Sequence, residues 1–141
     1  MFTFYNYPEI EIPQSVLAPL LQKSISFFLK LKPISIIFVS EAEIKRLNME
    51  FRKVDEVTDV LSFNFNTDEL LGEVYICKKY IQENTQENLL NEEIVRLIIH
   101  GILHLYGYDH KNKFVDRSSK DLENMYIVQE SVLDKIMKGL K

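Results

Sequence analysis

Cysteine, glycine, proline and histidine are all scarce in this chain of 141 residues, and most of these scarcities exclude something. The single cysteine, Cys77, closes no intramolecular disulfide and has no second thiol with which to build a zinc finger. Within Val74-Tyr75-Ile76-Cys77 it reads as a buried, inert thiol. A chain without disulfides suits a reducing compartment. Four glycines and four prolines leave little material for long linkers. The stretch Met1 to Pro8 has neither a basic n-region nor an apolar h-region, so no signal peptide is expected. No run reaches the ~20 apolar residues that span a bilayer. The expectation is a soluble, cytoplasmic protein with no membrane partner. Positive charge is not in excess either: 17 Lys and Arg against 21 Asp and Glu give a net charge of −4. Nucleic acid, if bound, therefore requires a local basic cleft rather than a global field.

What is present is an ordinary globular composition, 46% apolar and 27% charged, which suits one compact domain over 1–141. Phe2 to Tyr7 alternates and reads as a strand. Pro13 opens a helical pattern carrying Val16, Leu17, Leu20, Leu21, Ile25 and Phe28. The β-branched run Ile34 to Val39 reads as a buried strand. Ser40-Glu41-Ala42-Glu43 matches a capping box and starts a helix with Ile44, Leu47, Asn48 and Phe51 on one face. Strands are predicted over Val60 to Phe65 and Gly72 to Cys77, antiparallel neighbours across a short turn. Lys78 to Tyr106 is helical with a break near Asn84, and Gly107 is a C-terminal cap. A last helix runs from about Ser119 to Met137, with Leu122, Met125, Tyr126, Val128, Val132, Leu133 and Ile136 as apolar positions. The fold class is α+β: a small mixed or antiparallel sheet of about four strands covered by several helices.

All three histidines fall within eleven residues, His100-Gly-Ile-Leu-His104-Leu-Tyr-Gly-Tyr-Asp-His110. A lone histidine in an apolar helix is usually a hydrogen-bonded core residue. Here His100 and His104, four apart, project from one helix face, and the break at Gly107 lets the chain return His110 to the same point. Burying two imidazoles among Ile98, Ile102, Leu103 and Leu105 is costly without a partner. Three neutral nitrogens with a fourth position open is the arrangement of a catalytic zinc site. Zn2+ is the expected cofactor, one ion per chain, although three histidines accept other divalent transition metals as well. The spacing matches the metzincin pattern H-E-x-x-H-x-x-G-x-x-H, except that the general-base Glu is replaced by Gly101, which argues against a peptidase.

A second block, Leu47-Asn48-Met49-Glu50-Phe51-Arg52 through Thr58-Asp59-Val60-Leu61-Ser62-Phe63, precedes Leu71-Gly72-Glu73-Val74 and the histidine motif. Together these resemble the YbeY family of bacterial endoribonucleases, from about Ile34 to the last helix. The resemblance implies an α+β fold whose central helix carries metal ligands, here His100, His104 and His110, and an active-site arginine, here Arg52. It implies cleavage of single-stranded RNA, maturation of the 3′ end of small-subunit ribosomal RNA and a role in ribosome quality control. The implied partners are ribosomal RNA and the ribosome or ribosomal proteins, with no DNA expected. Three positions depart from the family's usual residues: Asn64 stands where Pro is common, Glu73 where Asp is common, and Gln129, four after Met125, where Glu is common. The Asn64 change bears on the loop entering the cleft.

The chemistry is coherent: a metal and a guanidinium neutralise charge developing on phosphoryl oxygens. Arg52 offers a planar fork for two of them, although an arginine at a helix end is most often a solvated surface group. Asp109 is placed either to orient an imidazole or to cap the turn. Two basic clusters, Lys45, Arg46, Arg52 and Lys53 in one and Lys111, Lys113, Arg117 and Lys120 in the other, could flank the metal. Phe63, Phe65, Tyr106 and Tyr108 are candidates for base stacking but more commonly core. The alternatives are another metallohydrolase, or a non-catalytic ribosome-assembly factor with a structural metal.

Overall fold

A computed structural model of the chain describes residues 2–107 and 119–141, the latter with side chains from 124 onward. The elements run β1 (Phe2–Tyr5), α1 (Gln14–Ser26), β2 (Ile34–Phe38), α2 (Glu41–Arg52), β3 (Val60–Asn64), β4 (Gly72–Ile76), α3 (Lys78–Glu83), a 3-10 turn (Glu87–Leu89), α4 (Leu90–Leu105) and α5 (Ser119–Gly139). The four strands form one mixed sheet in the order β1-β2-β4-β3. β1 and β4 each run parallel to β2, while β3 pairs antiparallel with β4, with Ser62 opposite Val74. The α+β class, the mixed sheet and the antiparallel β3–β4 pair match the sequence reading.

Alternation along the strands separates two apolar layers. Phe2, Phe4, Ile34, Ile36, Val74 and Ile76 point to one face, where they pack with residues of α1, α4 and α5 in the main core. Leu61 and Cys77 join Ile44 and Leu47 of α2 in a smaller core. Ser40 caps α2, its hydroxyl accepting from Glu43 N at 3.2 Å. Lys53 ends the helix in the left-handed region at φ 62°, its N–H reaching the carbonyls of Asn48 and Met49.

Helix α4 is the central element. Ile94, Val95, Ile98, Ile99, Gly101, Ile102, Leu103 and Leu105 are all buried, so it is apolar nearly all round. Ile98, Ile99 and Ile102 are fully buried, each contributing roughly 1.5–3 kcal/mol. That burial fixes the rotation of the helix and leaves His100 and His104 on its one remaining polar stripe. Expectations about the apolar faces of three helices are corrected at four positions. Val16 and Phe28 near the two ends of α1, and Tyr126 on α5, are exposed at 40%, 41% and 63%. Phe51 on α2 is 59% exposed, and its ring lies edge-on to that of Phe63 with the centroids 5.2 Å apart. Among the described residues, no helix is long and apolar enough to cross a membrane.

Candidate functional site

A cavity of about 620 Å³ opens between the C-terminal end of α2, the edge strand β3 and α4. Asn48 and Arg52, four apart on α2, line one wall, and His100, His104 and Leu105 of α4 line another. The connecting segment from Val54 to Asp59 completes the rim. Asn48 is buried and its amide donates to Glu56 O at 3.0 Å, which ties this segment to the helix. The Asp59 carboxylate is occupied in starting β3, accepting from Val60 N at 2.7 Å.

The two imidazoles are half-buried and face each other. Their ring centroids are 4.4 Å apart with the planes at 80°, and the two Nε2 atoms lie 2.8 Å apart. The other nitrogen of His100, Nδ1, is 2.9 Å from Gln129 Oε1 on α5. An amide oxygen only accepts, so Nδ1 carries the proton and Nε2 presents its lone pair toward His104. This donor set fits a transition metal. Two Zn–N bonds of about 2.0–2.1 Å separate ligand nitrogens by roughly 3.3 Å in a tetrahedron, about half an ångström beyond the observed 2.8 Å, so the two rings would part slightly to hold an ion. Two of the three histidines expected as ligands are thereby brought together. His110, the third, lies outside the described residues, as do Tyr108, Asp109, Lys111, Lys113 and Arg117. Among the described residues no third His, Cys, Asp or Glu completes a metal-binding group.

Arg52 enters the same cavity. Its Nη2 donates to Ser62 O on β3 at 3.3 Å. Its Nε is buried with no hydrogen-bond partner among the described residues, a condition that costs on the order of 1–3 kcal/mol. The remainder of the first basic cluster points elsewhere. Arg46 pairs with Glu43 and Glu50 on the outer face of α2, Lys45 lies 3.9 Å from Asp55, and Lys53 Nζ donates to Glu50 O. Helical periodicity explains Arg46, which lies well off the Asn48–Arg52 stripe; Lys45 shares that stripe but sits nearly two turns before Arg52, where it faces Asp55 instead of the cavity. Tyr106 is anchored at the edge of the main core: its hydroxyl accepts from Lys32 N and donates to Lys30 O, and burial raises its pKa.

Gly101 now has a structural explanation. A Cβ there would sit 2.6 Å from Val74 Cγ1 and 3.1 Å from Ser62 Oγ. The helix lies so close to β3 and β4 that the position admits no side chain, and a glutamate general base is excluded sterically. Ser62 Oγ donates to Gly101 O at 3.1 Å, and Asn64 Nδ2 donates to Leu105 O at 2.7 Å, so β3 binds the last turns of the histidine helix at two points.

The residues most clearly missed by sequence reasoning alone were the supports: Asn48, Ser62 and Gln129. Gln129 is buried on α5 and its amide nitrogen donates to Glu130 Oε2 at 3.2 Å. Arg96 on α4 holds Glu130 in turn, at 3.1 Å from Nε, and also pairs with Glu93. These hydrogen bonds, Glu130 foremost, raise the pKa of the guanidinium far above its ordinary value. The only sequence signal for Gln129 was its place four residues after Met125.

A profile of the family described as "Endoribonuclease YbeY" matches residues 7–137. A Thermotoga petrophila protein of that name is 46% identical over 91 residues, covering 63% of this chain and 59% of the relative. A Phytoplasma australiense protein of the same name is 44% identical over 110 residues, covering 72% of each. The alignment with the Thermotoga petrophila relative thus spans less than two thirds of that protein. A solution structure of a Thermotoga maritima protein superposes with a TM-score of 0.67 at 33% identity, covering 96% of this chain and 89% of that one. The profile spans the Asn48–Arg52 stripe, the sheet edge and both described histidines, and on that extent of agreement the chain belongs to the YbeY family.

Proposed function

We propose that the chain is a metal-dependent endoribonuclease that cuts single-stranded RNA, acting in the 3′-end maturation of small-subunit ribosomal RNA and in ribosome quality control in the cytoplasm. Its partners under this reading are ribosomal RNA and the ribosome or its proteins. The observation that carries the proposal is the meeting of His100, His104 and Arg52 in one open cavity. The names of the relatives supply the reaction class.

His100, His104 and His110 would hold a single Zn2+. When bound, such an ion supplies Lewis-acid stabilisation of charge on a phosphoryl oxygen. The protein's own groups perform the remaining tasks. Arg52 presents a guanidinium whose Nε proton lacks a partner, so a phosphate oxygen entering the cavity satisfies a donor that the fold leaves unmet. Ser62 and Asn64 hold the histidine helix against the strand carrying the Arg52 contact, which keeps cation site and guanidinium in fixed relation. Gln129 orients His100. The steric exclusion of a side chain at Gly101 disfavours a peptidase.

The test combines elemental analysis with cleavage of a single-stranded RNA, its DNA counterpart and casein, for wild type and His104→Ala. The reading expects about one zinc per wild-type chain, cleavage of RNA alone, and loss of both metal and cleavage in the variant. A metal-free wild type that still cuts RNA would sink the metal assignment. A metal-loaded wild type that cuts nothing would instead support an assembly factor with a structural ion.

A further inference from the structure

We propose that Gln129 is a positioning residue for the metal-binding imidazole of His100, and that the Arg96–Glu130 ion pair fixes which end of its amide faces that ring. The inference rests on the metal reading above and adds a residue from a second helix to the site.

A carboxamide has one accepting end and one donating end, and the two impose opposite tautomers on a neighbouring imidazole. Glu130 decides between them. Its Oε2 takes a hydrogen bond from Gln129 Nε2 at 3.2 Å, so the nitrogen end is claimed. Turning the amide over would set its oxygen against the carboxylate and its N–H toward His100. Glu130 cannot swing away to relieve that clash, because Arg96 grips both of its oxygens, Nε to Oε2 at 3.1 Å and Nη2 to Oε1 at 3.3 Å. Arg96 is itself held from the other side by Glu93. The amide oxygen is therefore directed at His100 Nδ1, 2.9 Å away, and the ring keeps its proton there. The consequence appears at the opposite nitrogen: Nε2 keeps its lone pair and points it at His104 Nε2.

Gln129 is only 8% exposed, so water is poorly placed to substitute for it. Groups that hold the far nitrogen of a ligating histidine ordinarily contribute 10–100-fold in metal affinity. A neutral amide is a weaker acceptor than a carboxylate, but a glutamate at the same position would set a second oxygen against Glu130.

Zinc affinity, read by competition with a chromophoric chelator, is compared for wild type, Gln129→Leu, Gln129→Glu and Glu130→Gln. The melting temperature of each metal-free protein controls for folding. In parallel, nitrogen-15 NMR of the metal-free wild type reports which His100 nitrogen carries the proton. We expect Gln129→Leu to bind zinc roughly 10–100-fold more weakly, Gln129→Glu to fall between wild type and Gln129→Leu because its stronger acceptor is offset by a second oxygen set against Glu130, Glu130→Gln also to fall between wild type and Gln129→Leu, and the His100 proton to lie on Nδ1. Undiminished zinc affinity in a folded Gln129→Leu, or a His100 proton on Nε2, overturns the positioning role while leaving the metal reading intact. A wild type that takes up no zinc overturns the metal reading itself, and this proposal with it.

Discussion

Ser62 on β3 donates its hydroxyl to the carbonyl of Gly101 on α4 at 3.1 Å, and the same hydroxyl stands 3.1 Å from where a Cβ at that glycine would lie. One contact therefore ties helix to strand and enforces the absence of a side chain. In an ordinary helix interior, Gly→Ala stabilises by about 0.5–1 kcal/mol through reduced backbone entropy. Here the added methyl meets Val74, which is fully buried and cannot retreat. Overpacking of this kind costs about 1–3 kcal/mol and outweighs the entropic gain. Gly101→Ala is thus expected to destabilise the protein in urea unfolding and to weaken zinc binding, because the displaced helix carries both described imidazoles. An alanine variant more stable than wild type would show that α4 can move off the sheet freely.

Asn64 takes the place of a proline common in the family, and its amide donates to Leu105 O at 2.7 Å, satisfying a carbonyl in the last turn of the histidine helix. Proline has no such donor. Asn64→Ala should lose the bond and cost about 1 kcal/mol, and Asn64→Pro at least as much. Asn64→Asp should be worse than Asn64→Ala, since it sets a carboxylate against a carbonyl at the negative end of a helix dipole. Chemical denaturation of the three variants ranks them. Equal stabilities would mean that the amide bond contributes nothing.

Much of this was legible in the sequence, for identifiable reasons. Period-two alternation located Phe2–Tyr5 and Val60–Asn64, a β-branched apolar run located Ile34–Phe38, and the three-residue spacing from Ser40 to Glu43 located the start of α2, because those signals arise from patterns local in the chain. The His100–His104 pair was legible because helical spacing alone puts both rings on one face. What escaped depends on contacts between distant segments. Gln129 meets His100 across 29 residues and Ser62 meets Gly101 across 39, and no local pattern encodes either. The basic cluster at Lys45 to Lys53 misled for the converse reason: proximity in sequence placed four cations together, but Lys45, Arg46 and Lys53 turn to Asp55, Glu43 and Glu50, and of the four Arg52 lines the cavity.

Alkaline stability follows from two tyrosines. Burial pushes Tyr7 up to about 12, and burial together with the hydrogen bond to Glu73 pushes Tyr75 to about 12 as well. Both folded values lie above the ordinary value near 10, so the neutral phenol is favoured in the folded state. The stability they contribute is intact below about pH 10 and is lost as pH rises from there toward 12. Tyr7 also donates to Ile12 O at 2.7 Å. Tyr7→Phe is expected to lower stability near neutral pH by about 1 kcal/mol through that lost bond, yet to show a shallower decline above pH 10. Urea midpoints followed from about pH 8 to 11 test this, and an unchanged alkaline slope would assign the decline to other groups.

Arg52 separates stability from activity. Its Nε is buried and unpartnered among the described residues, which penalises the folded protein, while its Nη2 retains one long bond to Ser62 O at 3.3 Å. A flexible apolar replacement removes the desolvated donor and keeps much of the packing. Arg52→Met should therefore melt at or above the wild-type temperature, hold wild-type zinc, and cut RNA about 10²–10³-fold more slowly, the usual loss for one preorganised charge-stabilising donor. Arg52→Lys should recover little of that rate, because an ammonium lacks the planar fork that engages two phosphate oxygens. Thermal melts, zinc content and single-turnover cleavage on the same preparations decide the matter. Normal cleavage by Arg52→Met would remove the arginine from the reaction. Slower cleavage accompanied by lost zinc or a lower melting temperature would make its role structural.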